Sequence, residues 1–371
     1  MRIRTSNKGF GDLGDNHFTM GLNFKVDLST KFLTRVDPRG LEPLTFPMPW
    51  GRATNYAMGP KRFSILSKFL LCYHKSNMTN ISKAVITAAG RGTRFLPVVK
   101  SYQKELVPIL AKPNIQYLVE EAIGAGITEI AIVHRPGEDA IKDYFSPDLE
   151  LEKYLQENNK MEYLDSLKAI SDKVNFSYFA QSPELPYGNG SPIIAAKEFI
   201  GTDPFVYMFG DDLIVESIPG QYLTKMIASF NKYQIDAIVS TQEMPTIEMK
   251  RYGAVVPHSN PSIPHQISAL LEKTDPPPSN FAVVGRYVIS NKIMDVIKNQ
   301  NTSKDNELWL ADGLNTLTQT GIVADEPITN GVWMTTGDPL RWLQANIAVA
   351  LQDPKFKDDL REFLKNLNVN K

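Results

Sequence analysis

Lys83-Ala-Val-Ile-Thr-Ala-Ala-Gly-Arg-Gly-Thr-Arg-Phe-Leu-Pro97, with Gln103-Lys-Glu-Leu-Val-Pro108 close behind it, reads as a buried apolar strand running straight into a glycine-bearing loop. The loop carries Arg91 and Arg94, and Lys100 and Lys104 follow at once. Ala88, Ala89 and Gly90 have little or no side chain, so another molecule can approach the backbone. Exposed backbone N–H groups beside a cluster of cations make a site for a phosphate chain. At the carboxyl end of a strand, such a site is where open α/β sheets bind nucleotides.

Outward from this stretch, strand and helix patterns alternate. Strands are expected at 85–89, 129–134, 174–180, 205–209 and 235–241, and helices at 114–125, 191–199 and 221–233. One or two surface helices fill 149–172. Ile115, Leu118, Val119 and Ala122 recur at helical spacing. Alternation of this kind implies parallel strands with crossover helices, a doubly wound sheet. From about residue 245 the pattern changes to strands at 252–256, 268–272 and 281–289 between Pro-rich loops, which suits an antiparallel part. Helices are expected at 291–298, 307–320 and 339–351, and the tail, 355–368, reads as a charged amphipathic helix.

With 371 residues the chain can form one large α/β domain or two small ones. A net charge of −1 gives no reason to propose nucleic acid or membrane as the main partner. No uninterrupted apolar stretch is long enough to span a bilayer. The single cysteine, Cys72, excludes an intramolecular disulfide and a multi-cysteine metal site, and fits a reducing cytoplasm. Residues 1–77 hold 12 Lys+Arg against 5 Asp+Glu, crowded with Gly and Pro and lacking sustained periodicity. They are expected to be a disordered leader or an upstream reading-frame extension, with 61–72 able to form a short basic helix. A folded domain is expected at 78–353, in two halves that meet at about residue 244. A helical tail takes up 354–371.

The glycine loop resembles the signature of sugar-phosphate nucleotidyltransferases, and within that group of the bacterial-type uridylyltransferases that use glucose-1-phosphate. The resemblance continues, in order, through Lys112-Pro-Asn-Ile-Gln-Tyr-Leu-Val-Glu-Glu121, Gly210-Asp-Asp212, Leu271-Glu-Lys273 and Pro278-Ser-Asn-Phe-Ala-Val-Val-Gly-Arg-Tyr287. It implies a Rossmann-like mixed α/β sheet of the nucleotide-diphospho-sugar transferase type. It also implies UTP and glucose-1-phosphate as substrates, Mg²⁺ as cofactor, and a cytoplasmic homodimer or homotetramer.

The reaction this implies needs no general base, because the sugar phosphate is already an anion. It needs positioning and charge neutralisation. By resemblance, Arg94 and Lys104 grip the triphosphate, with Gln103 standing where the family has proline. Ala89, Gly90 and Gly92 form the nucleotide loop. Gln181, ahead of Gly188-Asn-Gly190, reads the base across a spacing two residues longer than usual. Glu272, Lys273, Asn280 and Gly285 line the sugar-phosphate side.

Carboxylates at a strand's end facing a phosphate loop suit Mg²⁺, although a Gly-Asp-Asp alone is equally a turn or a helix cap. The family's metal ligand matches Asp211. Thr335 stands where the family has a second Asp, and Asp338, after the glycine, is the reserve candidate. Glu307 and Asp312 resemble a family block or brace a helix. Three rivals are kept: a nucleotidyltransferase for dTTP or another sugar phosphate, a metal-dependent glycosyltransferase, and an inactive nucleotide-sugar-binding regulator.

Overall fold

The computed structural model describes residues 17–20, 24–27, 32–35, 45–47, 80–303 and 306–367. The chain divides into two units, Met1–Lys75 and Ser76–Lys371. In the first, β1 (His17–Met20), β2 (Phe24–Asp27), β3 (Phe32–Arg35) and β4 (Thr45–Pro47) pair antiparallel in chain order. The remainder of 1–77, including the expected helix at 61–72, lies outside the described residues.

The second unit is built on a nine-stranded mixed sheet. Its parallel part is β5 (Lys83–Ala88), β8 (Glu129–His134), β9 (Asn175–Ala180) and β10 (Phe205–Phe209). Between β5 and β8 a small hairpin, β6 (Pro108–Ile109) with β7 (Lys112–Pro113), precedes the helix Asn114–Gly124. Side chains in β5, β8 and β10 alternate between two apolar layers: Ala84, Ile86 and Ala88 enter one, and Val85 the other. Both faces are covered, which is why these strands read as continuous apolar runs. Ile115, Leu118, Val119 and Ala122 of the helix Asn114–Gly124 are fully buried on the first face, beside Leu223 and Met226 of the helix Gln221–Tyr233.

The strand expected at 235–241 is β12 (Ala237–Glu243), and the sheet is mixed, as expected. The long strand β15 (Phe281–Ile289) inserts between β10 and β12 and runs antiparallel to both. The hairpin of β13 (Gly253–Pro257) with β14 (Ile267–Glu272) lies against the first part of β15, and β16 (Val323–Pro327) runs parallel to β12. Local pattern cannot show this, because direction is set by a partner far along the chain.

The sequence reading missed β11 (Asp212–Val215) and β17 (Val332–Thr335), which form a two-stranded antiparallel ribbon. Leu213 and Val215 pack there with Ile109 and with Ala345 of the helix Pro339–Gln352. It also missed the short helix Ala140–Phe145. The helix expected at 191–199 is two pieces, Ser191–Ala195 and Lys197–Ile200, and 149–172 resolves into Leu149–Glu157 and Met161–Ser171. The tail helix is Lys357–Asn366. No helix among the described residues is long and apolar enough to cross a membrane.

Candidate active site

The register of the parallel strands brings Ala88, His134, Ala180 and the end of β10 to one rim. The segments that leave these strands, Ala89-Gly90, Gln181 and Gly210-Asp211-Asp212, are therefore neighbours by construction. The first two border a cleft of about 260 Å³. Ala89, Gly90, Lys104, Gln181, Gly188, Glu272 and Lys273, all named from the sequence, line it together. Glu105, Tyr187, Asn189, Glu307 and Trp309 line it as well, with no role assigned to most of them beforehand.

On the nucleotide-loop side, the Lys104 ammonium lies 2.7 Å from Asp211 Oδ2 and 3.7 Å from Glu105 Oε1. Gly92, left-handed at φ 61, opens the short 3₁₀ turn Thr93–Phe95 that carries the exposed Arg94. Asp211 Oδ2 sits 3.0 Å, and Arg94 Nη1 3.7 Å, from the point where a Cβ on Gly337 would stand, so the two charges flank the same backbone. Burial alone would lower the Lys104 pKa, but Asp211 and Glu105 outweigh it and hold the ammonium firmly charged. Burial works against ionising Asp211, and Lys104 overcomes it, leaving this carboxyl below its usual range.

The neighbouring acid behaves differently. Asp212 is buried in β11, and its pKa is pushed up to about 7 by burial and by the charge of Asp211. Its carboxylate accounts for Gly285, where a Cβ would come within 2.2 Å of Asp212 Oδ2. Gly285 lies in β15 behind the acid and is not among the residues lining the cleft, so its smallness serves Asp212. Arg286 is fully buried beside it, with Nε and Nη2 on the two oxygens of Glu121 at 2.8 and 2.7 Å. Its Nη2 also donates to the backbone carbonyl of Asp212 at 2.8 Å. Arg286 therefore ties the acidic segment to the helix Asn114–Gly124. Asn114, at the start of that helix, donates to the carbonyl of Gly210 at 2.7 Å.

Glu105 is 2% exposed, and its Oε1 finds no hydrogen-bond donor among the described residues. Burial pushes its pKa up to about 7, against the pull of Lys104. Between its unfolded value near 4.5 and 7, the folded protein keeps a proton that the unfolded chain has lost. Stability therefore falls as pH rises through that window. Glu105→Gln removes the effect, so its stability relative to the parent should rise by on the order of 2–3 kcal/mol between pH 5 and pH 8. Urea unfolding at the two pH values checks this; a pH-independent difference would refute it.

The side of the cleft expected to meet the base is held by the turn Tyr187–Gly190. Gly188, at φ 134, packs so tightly on the distant segment around Leu308 that a Cβ would meet the Leu308 carbonyl oxygen at 2.4 Å. Leu308 N donates to Tyr187 O at 2.7 Å, and Leu310 N donates to Asn189 Oδ1 at 2.7 Å. The glycine is thus required by a protein contact as well as by its place in the cleft.

On the far wall, Glu272 ends β14 and Lys273 follows it. Burial raises the Glu272 pKa, and Lys273 opposes it. Asn280 is exposed and accepts from the Thr246 hydroxyl at 3.2 Å, away from the cleft lining. Asp312 takes the hydroxyl of Ser303, a bracing role.

Asp338 caps the helix Pro339–Gln352. It accepts from Arg341 N at 3.0 Å, pairs with the Arg341 guanidinium at 3.0 Å, and faces Arg251 at 3.9 Å. The carboxylate expected as a reserve metal ligand is engaged as a helix cap. Thr335 pairs with Asp212 in the ribbon, and its hydroxyl accepts from Gly337 N at 3.2 Å.

Among the described residues, no group of three His, Cys, Asp or Glu side chains gathers to hold a metal ion. Mg²⁺ is commonly held by one or two carboxylates with substrate phosphates and water. Asp211, partly exposed at the cleft edge, fits that mode and not a closed protein cage.

The family model for nucleotidyl transferases matches residues 83–351. A UTP–glucose-1-phosphate uridylyltransferase of Staphylococcus epidermidis is 35% identical over 294 residues, covering 79% of this chain and all of the relative. One of Bacillus subtilis is 35% identical, covering 78% of this chain and 98% of the relative. Among solved structures, a UTP-bound UGPase from Acinetobacter baumannii superposes with a TM-score of 0.70 at 31% identity, over 78% of this chain and all of that one. Matched over most of its length, and carrying the glycine loop and the Glu272-Lys273 pair in one cleft, this chain belongs to the nucleotidyl transferase family.

Proposed function

We propose that the protein transfers a uridylyl group from UTP to glucose-1-phosphate, giving UDP-glucose and pyrophosphate. The observation that carries this reading is one cleft with two cationic walls. Lys104 stands on the glycine loop and Lys273 just after β14, with Gln181 and the Gly188 turn beside them. Two polyanions can meet only where their charge is offset, and these walls supply the offset. Uridylyltransferase relatives that match over their full length favour UTP and glucose-1-phosphate over the dTTP alternative.

In this reading a phosphate oxygen of glucose-1-phosphate forms the new bond to the α-phosphorus of UTP. The bond from that phosphorus to the bridging oxygen breaks, and its electron pair leaves with pyrophosphate. Lys273 orients the attacking phosphate, and Glu272 accepts hydrogen bonds from sugar hydroxyls. Arg94 and Lys104 stabilise the triphosphate and then the departing pyrophosphate, with Lys104 exchanging Asp211 for a phosphate oxygen as the nucleotide settles. Gln181 meets the base edge. Asp211 would hold Mg²⁺, which when bound offsets charge on the reacting phosphates. A cytoplasmic homodimer or homotetramer completes the proposal.

Pyrophosphate release should be dominated by UTP with glucose-1-phosphate across a grid of five nucleoside triphosphates and several hexose-1-phosphates, with Mg²⁺ present. A dominant signal from another pair would keep the chemistry and reassign the substrate to the lengthened Gln181–Gly190 loop. Silence across the grid would refute the reading.

A further inference from the structure

Lys273 is an exposed lysine in a left-handed backbone conformation, φ 50, that a non-glycine residue rarely adopts. The backbone is held there by its N–H, which donates to Tyr252 O at 3.2 Å. Among the described residues its ammonium forms no ion pair with a carboxylate. It lies instead 5.6 Å from the ring centroid of Trp309, on the opposite segment of the cleft.

That indole is itself fixed. Trp309 Nε1 donates to Glu307 Oε2 at 2.9 Å, and Trp309 O accepts from Gln300 Nε2 at 2.9 Å. Glu307 bridges to Tyr187, so the ring is anchored to the same turn that carries Gly188.

An aromatic face and a carboxylate hold a cation in different ways. A carboxylate neutralises the ammonium and competes with any phosphate for it. The ring attracts it through a quadrupole and carries no net charge. A lysine that must wait for a phosphate is better kept on a ring than in an ion pair. We propose that Trp309 is a positioning residue of the sugar-phosphate site, holding the Lys273 ammonium at the cleft wall without neutralising it. This rests on the reading of Lys273 as the group that meets the sugar phosphate.

The test is steady-state kinetics on the full chain, as Trp309→Ala, Trp309→Phe, Lys273→Ala and the Trp309→Ala/Lys273→Ala double variant. Trp309→Ala should raise KM for glucose-1-phosphate about fivefold and leave KM for UTP within about twofold. Trp309→Phe, which keeps a weaker aromatic face, should recover most of the loss. On the Lys273→Ala background, Trp309→Ala should cost nothing further, because the group it positions is gone.

Equal rises in both KM values, or the same cost with and without Lys273, would make Trp309 a structural residue and overturn the proposal alone. An unaltered glucose-1-phosphate KM in Lys273→Ala would remove the phosphate role of Lys273, and the proposal with it. Should Trp309→Ala fail to fold, fluorotryptophan incorporation weakens the ring's quadrupole while keeping its shape. It should raise the sugar-phosphate KM in the parent and leave Trp309→Phe unchanged; the same rise in both would overturn the proposal.

Discussion

Asp211→Ala is expected to lower turnover about a thousandfold while leaving the fold intact. Its carboxylate is the group at the rim that holds Lys104, at 2.7 Å, and it faces outward with 31% of the side chain exposed. Removing it takes away the cation ligand proposed for the triphosphate and releases Lys104 from its resting partner. The structural duties of residue 211 are carried by its backbone carbonyl, which accepts from Thr336 N at 2.6 Å and the Thr336 hydroxyl at 2.9 Å. Alanine keeps both. Turnover measured beside thermal unfolding checks this: a large loss of rate with a melting temperature near that of the parent. Asp211→Asn, equal in size and uncharged, should resemble alanine. A near-normal rate in either variant would remove Asp211 from the mechanism.

The second large effect is on stability. Arg286→Met is expected to cost about 3–5 kcal/mol, because the Glu121 carboxylate, 3% exposed, would stay buried without its partner. For a domain of this size that lowers the melting temperature by roughly 10 °C. The same change frees the Asp212 carbonyl, so turnover should fall as well. Adding Glu121→Leu should return much of the stability, since an apolar pair of similar volume avoids the unpaired charge. Turnover should stay depressed, because the tether on Asp212 is still missing. If the double variant is no more stable than Arg286→Met, the loss belongs to packing and not to the ion pair.

Much of the catalytic unit was legible along the chain because it depends on local pattern. A strand covered on both faces is apolar at every position, so β5, β8 and β10 could be read from Val85, Ile130 and Phe205 and their neighbours. Seven of the residues named from motifs meet in one cleft, and three of them, Ala89, Gly90 and Gln181, do so because they leave strand ends that share a rim. Asp338 was misjudged although its signal was present. An acid followed by proline at the start of an apolar helix is an N-cap, and the carboxylate is used there. Gly285 was placed on the sugar wall, yet its missing side chain makes room for Asp212.

By itself, the sequence determined the glycine loop, the helices and strands around it, and the cationic residues that follow it. These follow from periodicity, small residues and charge, which neighbours in the chain express. The tertiary structure decided what depends on partners far apart. It set the antiparallel insertion of β15, and it paired Asp212 with Thr335 across 123 positions. It turned Arg286 from a lone charge in an apolar run into the brace between Glu121 and the acidic segment. It also set Lys273 against Trp309. Each of these is a contact between side chains or strands that are brought together only by the fold, and for the strands and for Arg286 its free energy depends on burial having removed the water between them.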